Sequence, residues 1–106
     1  MAAKSRLEQI TDMLKDEPDD AELRYMLAME HASAGNDAEA VRCFEELIRR
    51  CPEYAPGFHM AARALLRLNR VEETRAVLRR GIAVATRKND LHAAGEMQEL
   101  LASLEA

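Results

Sequence analysis

The sequence predicts an all-α fold of about six antiparallel helices. Apolar residues recur at spacings of three and four along nearly the whole chain, and the alternation typical of strands occurs nowhere. The breaks between these periodic segments are two to five residues long and contain Pro, Gly or Asn. Because short connections bring consecutive helices side by side, neighbours should pack antiparallel. The predicted helices cover residues 4–16, 20–34, 37–51, 56–68, 71–87 and 90–104.

The first two helices have clear boundaries. Pro18 ends the first, because proline lacks an N–H group and disfavours helical backbone in the residue before it. Asp19 or Asp20 can cap the second helix. Gly35 and Asn36 end it, since both tolerate the left-handed conformation that closes a helix. The expected inward residues are Leu7, Ile10 and Leu14 in the first helix, and Leu23, Leu27, Ala28, His31 and Ala34 in the second.

The third helix has the most regular apolar stripe. Asn36 or Asp37 can cap its first turn, and Pro52 stops it by about Cys51. A stripe at this spacing covers one face of a helix, which should therefore be buried. Its members are Ala40, Phe44, Leu47, Ile48 and Cys51.

The last three helices follow the same rules. Pro56 suits the first turn of the fourth helix, and Asn69-Arg70 turns the chain after it. No proline closes the fifth helix, so it should continue to about residue 87, and residues 88–90 cap the sixth. Gly81 inside a helix costs about 1 kcal/mol relative to Ala, so we expect close packing against it.

Size and charge narrow the class of protein. The 106 residues suffice for a single domain, residues 1–106. The net charge of −4 argues against non-specific nucleic-acid binding. Charge is uneven, because residues 1–54 hold 13 acidic and 7 basic residues whereas residues 55–106 have a net charge of +2. No apolar run approaches the roughly 20 residues that span a membrane, and no signal peptide is evident, so we expect a cytoplasmic protein.

The chain also contains a repeat. Pro52 lies 34 residues after Pro18, and superposing residues 21–54 on 55–88 aligns every break between helices. Small residues then fall where helices must approach closely. The first segment holds a Leu–small pair, Gly, a small residue, an aromatic residue, an apolar residue and Pro, at Leu27-Ala28, Gly35, Ala40, Phe44, Leu47 and Pro52.

This pattern resembles the tetratricopeptide repeat family. The second segment fits less closely, with Asn69, Thr74, Gly81 and Thr86 at four of the family's positions. The resemblance implies a short right-handed superhelix of helical pairs. Within it, residues 4–17 would be the helix of a partial repeat, 20–54 and 55–88 two full repeats, and 90–104 a capping helix.

Residues that usually carry catalysis do not cluster in the sequence. His31, His59 and His92 lack the spacing of metal-ligand pairs, and His31 is expected to be a hydrogen-bonded core residue. Cys43 and Cys51 are about 12 Å apart along one helix, too far to form a disulfide, and neither has an adjacent His to activate it. We therefore expect no enzyme activity, no metal and no cofactor.

The resemblance implies a concave face built from the first helix of each pair. Tyr25 and Met29 would form its apolar floor, and Arg63 and Arg67 an anion-pairing rim. Relatives that hold chaperone-tail carboxylates use Lys, Asn and Arg at positions occupied here by other residues, so that activity is not expected. The predicted face comprises Tyr25, Met29, Ala32, Ser33, His59, Met60, Arg63, Leu66 and Arg67, with Ala93 and Met97 from the last helix.

The leading hypothesis is a non-catalytic adaptor or scaffold that binds a segment of another protein, an acidic peptide being the best match for the arginines. The first alternative is a homodimer, formed by an apolar edge that the first helix leaves uncovered. The second alternative is contact with RNA, which the lack of aromatic residues among the basic ones disfavours. Its basic residues would be Arg70, Arg75, Arg79, Arg80, Arg87 and Lys88.

Overall fold

The computed structural model describes residues 3–105 and contains six α-helices and no strand within that range. Each boundary lies within two residues of its predicted position. The all-α prediction is therefore confirmed. The helices are α1 (Arg6–Asp16), α2 (Ala21–Ser33), α3 (Asp37–Arg50), α4 (Ala55–Arg67), α5 (Val71–Arg87) and α6 (Leu91–Glu105).

Side chains cap most of the helix starts that the sequence indicated. Asp20 accepts a hydrogen bond from the Leu23 N–H at 2.9 Å, and Asp90 accepts one from the Ala93 N–H at 3.1 Å. Both bonds satisfy donors that the first helical turn leaves free. Asn36 occupies the N-cap position of α3, but its side chain makes no capping bond. The prediction of a cap from the Asn36 side chain is wrong.

Three helices end in the same left-handed turn. Gly35, Asn69 and Asn89 have φ angles of 81°, 61° and 60°. In each turn the following residue donates its N–H to a carbonyl five positions back, the pattern of a Schellman motif. These bonds are Asn36 to His31 at 2.9 Å, Arg70 to Leu65 at 3.0 Å and Asp90 to Ala85 at 2.8 Å.

The helices form an elongated stack, in which each packs mainly against its neighbours in sequence. The molecule measures 53 × 28 × 19 Å. One apolar core runs through α2 to α6, and Ile10 and Leu14 of α1 are also buried. None of the described helices combines the length and apolar character needed to cross a membrane.

The close packing predicted at Gly81 is confirmed. A Cβ atom at Gly81 would lie 2.6 Å from both Met97 Sδ and Phe58 Cβ. In the first repeat the position equivalent to Gly81 holds the bulky Leu47, and the glycine, Gly57, lies on the neighbouring helix α4. A Cβ atom added at Gly57 would lie 3.0 Å from Leu47 Cδ2. The bulky Leu47 is thus accommodated by a glycine on the next helix.

Two expected orientations are wrong. Met97, assigned to the concave face, is fully buried because it fills the space above Gly81. Ala34, assigned to the inward face of α2, is exposed because it already lies in the turn that ends the helix.

Candidate functional site

The predicted face draws on α2, α4 and α6, the first helices of successive pairs. α4 contacts α6, and Tyr25 on α2 meets Tyr54 just before α4. Along this face, Ser33 is exposed, and four further predicted members are half-buried. These four are Ala32, Met60, Leu66 and Ala93.

The α2 end of the face is apolar and held in place by aromatic contacts. The Tyr25 ring packs edge-to-face on Phe44, with centroids 6.2 Å apart, and on Tyr54 at 5.8 Å. Burial raises the pKa of the Tyr25 phenol above its usual value. Met29, one turn later on α2, is half-buried and packs against the core. Tyr25 and Met29 therefore offer a fixed aromatic ring beside an adaptable thioether.

The α4 part of the face carries a coupled His59–Arg63 pair. Arg63 Nε donates to His59 Nε2 at 3.3 Å, which requires that nitrogen to be unprotonated. Burial is the main cause that lowers the pKa of His59, and the Arg63 charge lowers it further. The charge of Glu96 on α6 raises the pKa of His59 and so partly opposes these two effects. The Arg63 side chain is exposed, so its guanidinium is accessible to an anion.

Arg67 is placed differently from Arg63. Its Nε lies 2.8 Å from Oδ1 of Asp37, the first residue of α3. The Asp37 side chain is only 18% exposed, so this ion pair is more shielded than a typical surface pair. Arg67 thus links the second repeat to the first, and Arg63 remains as the more accessible of the two predicted rim arginines.

The basic residues of the RNA hypothesis are occupied by other contacts. Five of them bond to acidic side chains or main-chain carbonyls, and Arg80 lies over the Phe58 ring at 5.4 Å. This arrangement disfavours a free basic surface on α5. The pairs are Arg70–Glu73, Arg75–Glu72, Arg79–Glu105, Arg87–Glu53 and Lys88 with the Glu53 carbonyl.

The structure also assembles a cluster that the sequence did not reveal. Ligand atoms of His31, Glu39 and Cys43 lie within 4.8 Å of one another, between α2 and α3. His31 is half-buried, so its expected place as a core residue is wrong, and Cys43 does have a neighbouring histidine. Burial is the main cause that raises the pKa of the Cys43 thiol, and the Glu39 charge adds to it. The missed signal was the hairpin turn at Gly35, which brings position 31 opposite positions 39–43.

Comparison with known proteins agrees with this helical-repeat architecture. The tetratricopeptide repeat model matches residues 21–64. The solution structure of a tetratricopeptide repeat domain protein from Salinibacter ruber is 30% identical, with a TM-score of 0.78. The match covers 83% of this chain and 89% of that one. The chain therefore belongs to the tetratricopeptide repeat family.

Two more distant structures share the fold. The TPR2B domain of yeast Sti1, in a complex with pHsp70, is 19% identical, with a TM-score of 0.86 over 93% of this chain and 79% of that one. The type III secretion translocator chaperone SycD of Yersinia enterocolitica is 12% identical, with a TM-score of 0.85 over 93% and 69%. A search of curated protein sequences gave no significant match.

Proposed function

We propose that this chain is a non-catalytic protein-binding module that holds a peptide segment of a partner against Tyr25, Met29, His59 and Arg63. The observation that carries the proposal is the exposed Arg63 guanidinium beside an uncharged imidazole on α4, the first helix of the repeat after the one that carries Tyr25 and Met29. Apolar and aromatic side chains with a small number of polar or charged groups are the usual lining of a binding site.

Relatives support a protein partner. The Sti1 domain was solved in a complex with pHsp70, and SycD is named a translocator chaperone. This chain lacks the Lys and Asn residues with which some relatives hold a terminal carboxylate, and has Tyr25, Met29 and Met60 at three of those positions. We therefore propose recognition of an internal segment rather than of a chain terminus.

The chemistry of the face favours a segment with an acidic residue next to an apolar one. A guanidinium pairs with a carboxylate in a planar, bidentate geometry. His59 accepts from Arg63 Nε, and this bond orients the guanidinium while leaving its outer nitrogens for a ligand. Glu96, close enough to influence His59, would repel a second acidic residue on the α6 side.

A peptide library displayed on phage and selected on the purified protein tests this proposal. Selected sequences should combine Asp or Glu with an apolar residue. Fluorescence anisotropy should then show that Arg63→Glu weakens binding of the best peptide by about tenfold or more, since a charge-assisted hydrogen bond contributes about 1.5–3 kcal/mol.

Arg49→Glu is the matched control. Arg49 is also exposed, but it lies on α3 and pairs with Glu46 in the same helix rather than on the proposed face. Its substitution should leave affinity within about twofold, as expected for a distant surface charge. Equal losses for both variants would show a general charge effect and contradict a site at Arg63. Arg67 is avoided, because its substitution would also break the pair with Asp37.

Homodimerisation through α1 is a second candidate, favoured by one observation. Met13 is 45% exposed, although Ile10 and Leu14 on the same helix are buried against the rest of the stack. A second copy could cover Met13. Light scattering over a concentration series would then show a dimer that Met13→Glu returns to monomer, whereas a constant monomer mass rules the dimer out.

A further inference from the structure

Three metal-binding side chains meet between α2 and α3, away from the face proposed to bind peptide. The ligand atoms of His31, Glu39 and Cys43 lie within 4.8 Å of one another, and all three residues are half-buried. The Cys51 thiol contacts the Asp19 carbonyl at 3.4 Å. By contrast, the His31 ring and the Cys43 thiol make no hydrogen bond within residues 3–105. Two strong ligands are thus free of protein partners and point to one place.

We propose that His31, Glu39 and Cys43 bind one Zn²⁺ ion that bridges α2 and α3. Zinc takes this class of donors, at about 2.3 Å from sulfur and about 2.0–2.2 Å from nitrogen and carboxylate oxygen. Ligand atoms around one tetrahedral ion are therefore about 3.3–3.6 Å apart. Small side-chain rotations would close the remaining distance of about 1 Å, since all three residues are only half-buried.

The donor set selects among metals. A thiolate and an imidazole favour zinc over Mg²⁺ and Ca²⁺, which prefer oxygen ligands in larger number. On binding, the Cys43 thiol releases its proton to solvent and its sulfur forms the bond to the ion. Three protein ligands leave a fourth position, which water fills.

Arg42 supports the carboxylate ligand. Its Nε donates to Glu39 Oε2 at 2.8 Å, and its Nη2 bonds to the same oxygen. The other carboxylate oxygen, Oε1, stays available to the ion. Hydrogen bonds of this kind orient the groups that ligate a metal.

Titration of the reduced, metal-free protein with Co²⁺ tests the site, because cobalt replaces zinc and reports its ligands by absorption. One equivalent should produce a sulfur-to-cobalt charge-transfer band and the visible bands of tetrahedral Co²⁺, and both should disappear when Zn²⁺ is added. Zn²⁺ alone should raise the melting temperature, and EDTA should reverse the rise, since a ligand that binds only the folded state stabilises it.

Cys43→Ser should remove the charge-transfer band and weaken Co²⁺ binding by at least about tenfold. Cys51→Ser is the matched control, because it removes the other thiol of the chain and should leave the spectrum unchanged. Circular dichroism verifies that both variants fold. If Cys43→Ser does not fold, His31→Gln is used instead: it should weaken Co²⁺ binding by at least about tenfold and keep the sulfur-to-cobalt band at saturating Co²⁺. A charge-transfer band that survives Cys43→Ser, depends on Cys51, or never forms in the native sequence would overturn the proposal.

Discussion

At Gly81 the backbone of α5 lies directly against Phe58 of α4 and Met97 of α6. A Cβ atom there would come within 2.6 Å of Met97 Sδ and of Phe58 Cβ. Met97 ends in a flexible thioether that can move, but Phe58 Cβ is fixed to its own backbone. The contact with Phe58 therefore decides what a larger residue at this position would cost.

We expect Gly81→Ala to lower the free energy of unfolding by up to about 2 kcal/mol, because an overpacking cost of about 1–3 kcal/mol is offset by a helix-propensity gain of only about 1 kcal/mol. Gly95→Ala on α6 is the control, since an added Cβ there meets nothing within 4 Å. That variant should gain about 0.5–1 kcal/mol. Urea denaturation of both measures the difference, and a stabilised Gly81→Ala would mean that α4 and α5 can separate at little cost.

His59 provides a pH-dependent readout of the α4 surface. Burial and the Arg63 charge lower its pKa below the ordinary 6.5. A histidine with a lowered pKa in the folded state stabilises the fold fully above its unfolded pKa, and this contribution is lost as pH falls toward the folded pKa. Acidification below pH 6.5 should therefore cost stability and break the bond from Arg63, since protonated Nε2 cannot accept it.

Substitutions of its neighbours should move the His59 pKa in opposite directions. Glu96→Gln should lower it further, because the Glu96 charge raises it, and Arg63→Gln should raise it. NMR titration of the imidazole measures both shifts. If neither substitution moves the His59 titration, the imidazole does not lie between those two charges.

At the scale of the element, the left-handed turns determine where the chain reverses. Asn69 has a φ angle of 61°, whereas Asn36, in the turn before α3, has a φ angle of −91° and no capping bond. Both are exposed asparagines next to a helix end. Because they differ in backbone conformation, comparing the same substitution at both positions isolates the effect of the left-handed φ angle.

Asn69→Ala should lower the free energy of unfolding by about 1 kcal/mol, because the left-handed conformation costs a residue with a Cβ about 1–2 kcal/mol and asparagine reduces that cost by local hydrogen bonding. Asn36→Ala should have a smaller effect, since it loses neither a cap nor a left-handed residue. Thermal unfolding compares the two. Equal losses would indicate that the side chains act through contacts with neighbouring groups rather than through φ.

The elements were predictable because their signals are local. Pro18, Pro52, Gly35 and Asn69 determine helix ends through their own backbone preferences, whatever surrounds them. The close packing at Gly81 was also predicted, because a glycine inside a helix lowers stability and close contact with a neighbouring helix can compensate for that loss.

What the sequence did not show depends on how one helix lies against the next. The pair Arg67–Asp37 joins residues 30 positions apart. The meeting of His31 with Cys43 depends on the rotation of α2 about its axis, which periodicity alone does not define. Met97 was assigned to the concave face for a related reason. A capping helix has apolar residues over a broad face, and only the space above Gly81 selects which of them is buried.

At the scale of the whole molecule, ion pairs connect successive hairpins along the stack. Arg50 pairs with Asp19 at 2.7 Å, and Arg87 pairs with Glu53 at 2.8 Å. Together with Arg67–Asp37, these pairs link each of the two full repeats to the part of the chain before it. They are mostly exposed, so they should contribute little to stability, and the apolar contacts between neighbouring helices must provide most of it.

Such a stack should open from its ends, because each helix depends mainly on its neighbours. Seven residues of α4 and five of α3 are buried, against two of α1. In native-state hydrogen exchange, amides of α1 should therefore open at a lower free energy than those of α3 and α4.

Two substitutions separate local from global opening. Ile10→Ala should reduce protection in α1 alone, whereas Leu65→Ala in the centre should reduce it throughout, by about 2–5 kcal/mol as for other buried leucines. Gly35 and Asn69 end α2 and α4 by the same backbone motif, so turn chemistry does not distinguish the end of the stack from its centre. Burial does. If α1 and α4 exchanged at the same free energy, the stack would open as a single unit, and the nearest-neighbour account of its stability would be wrong.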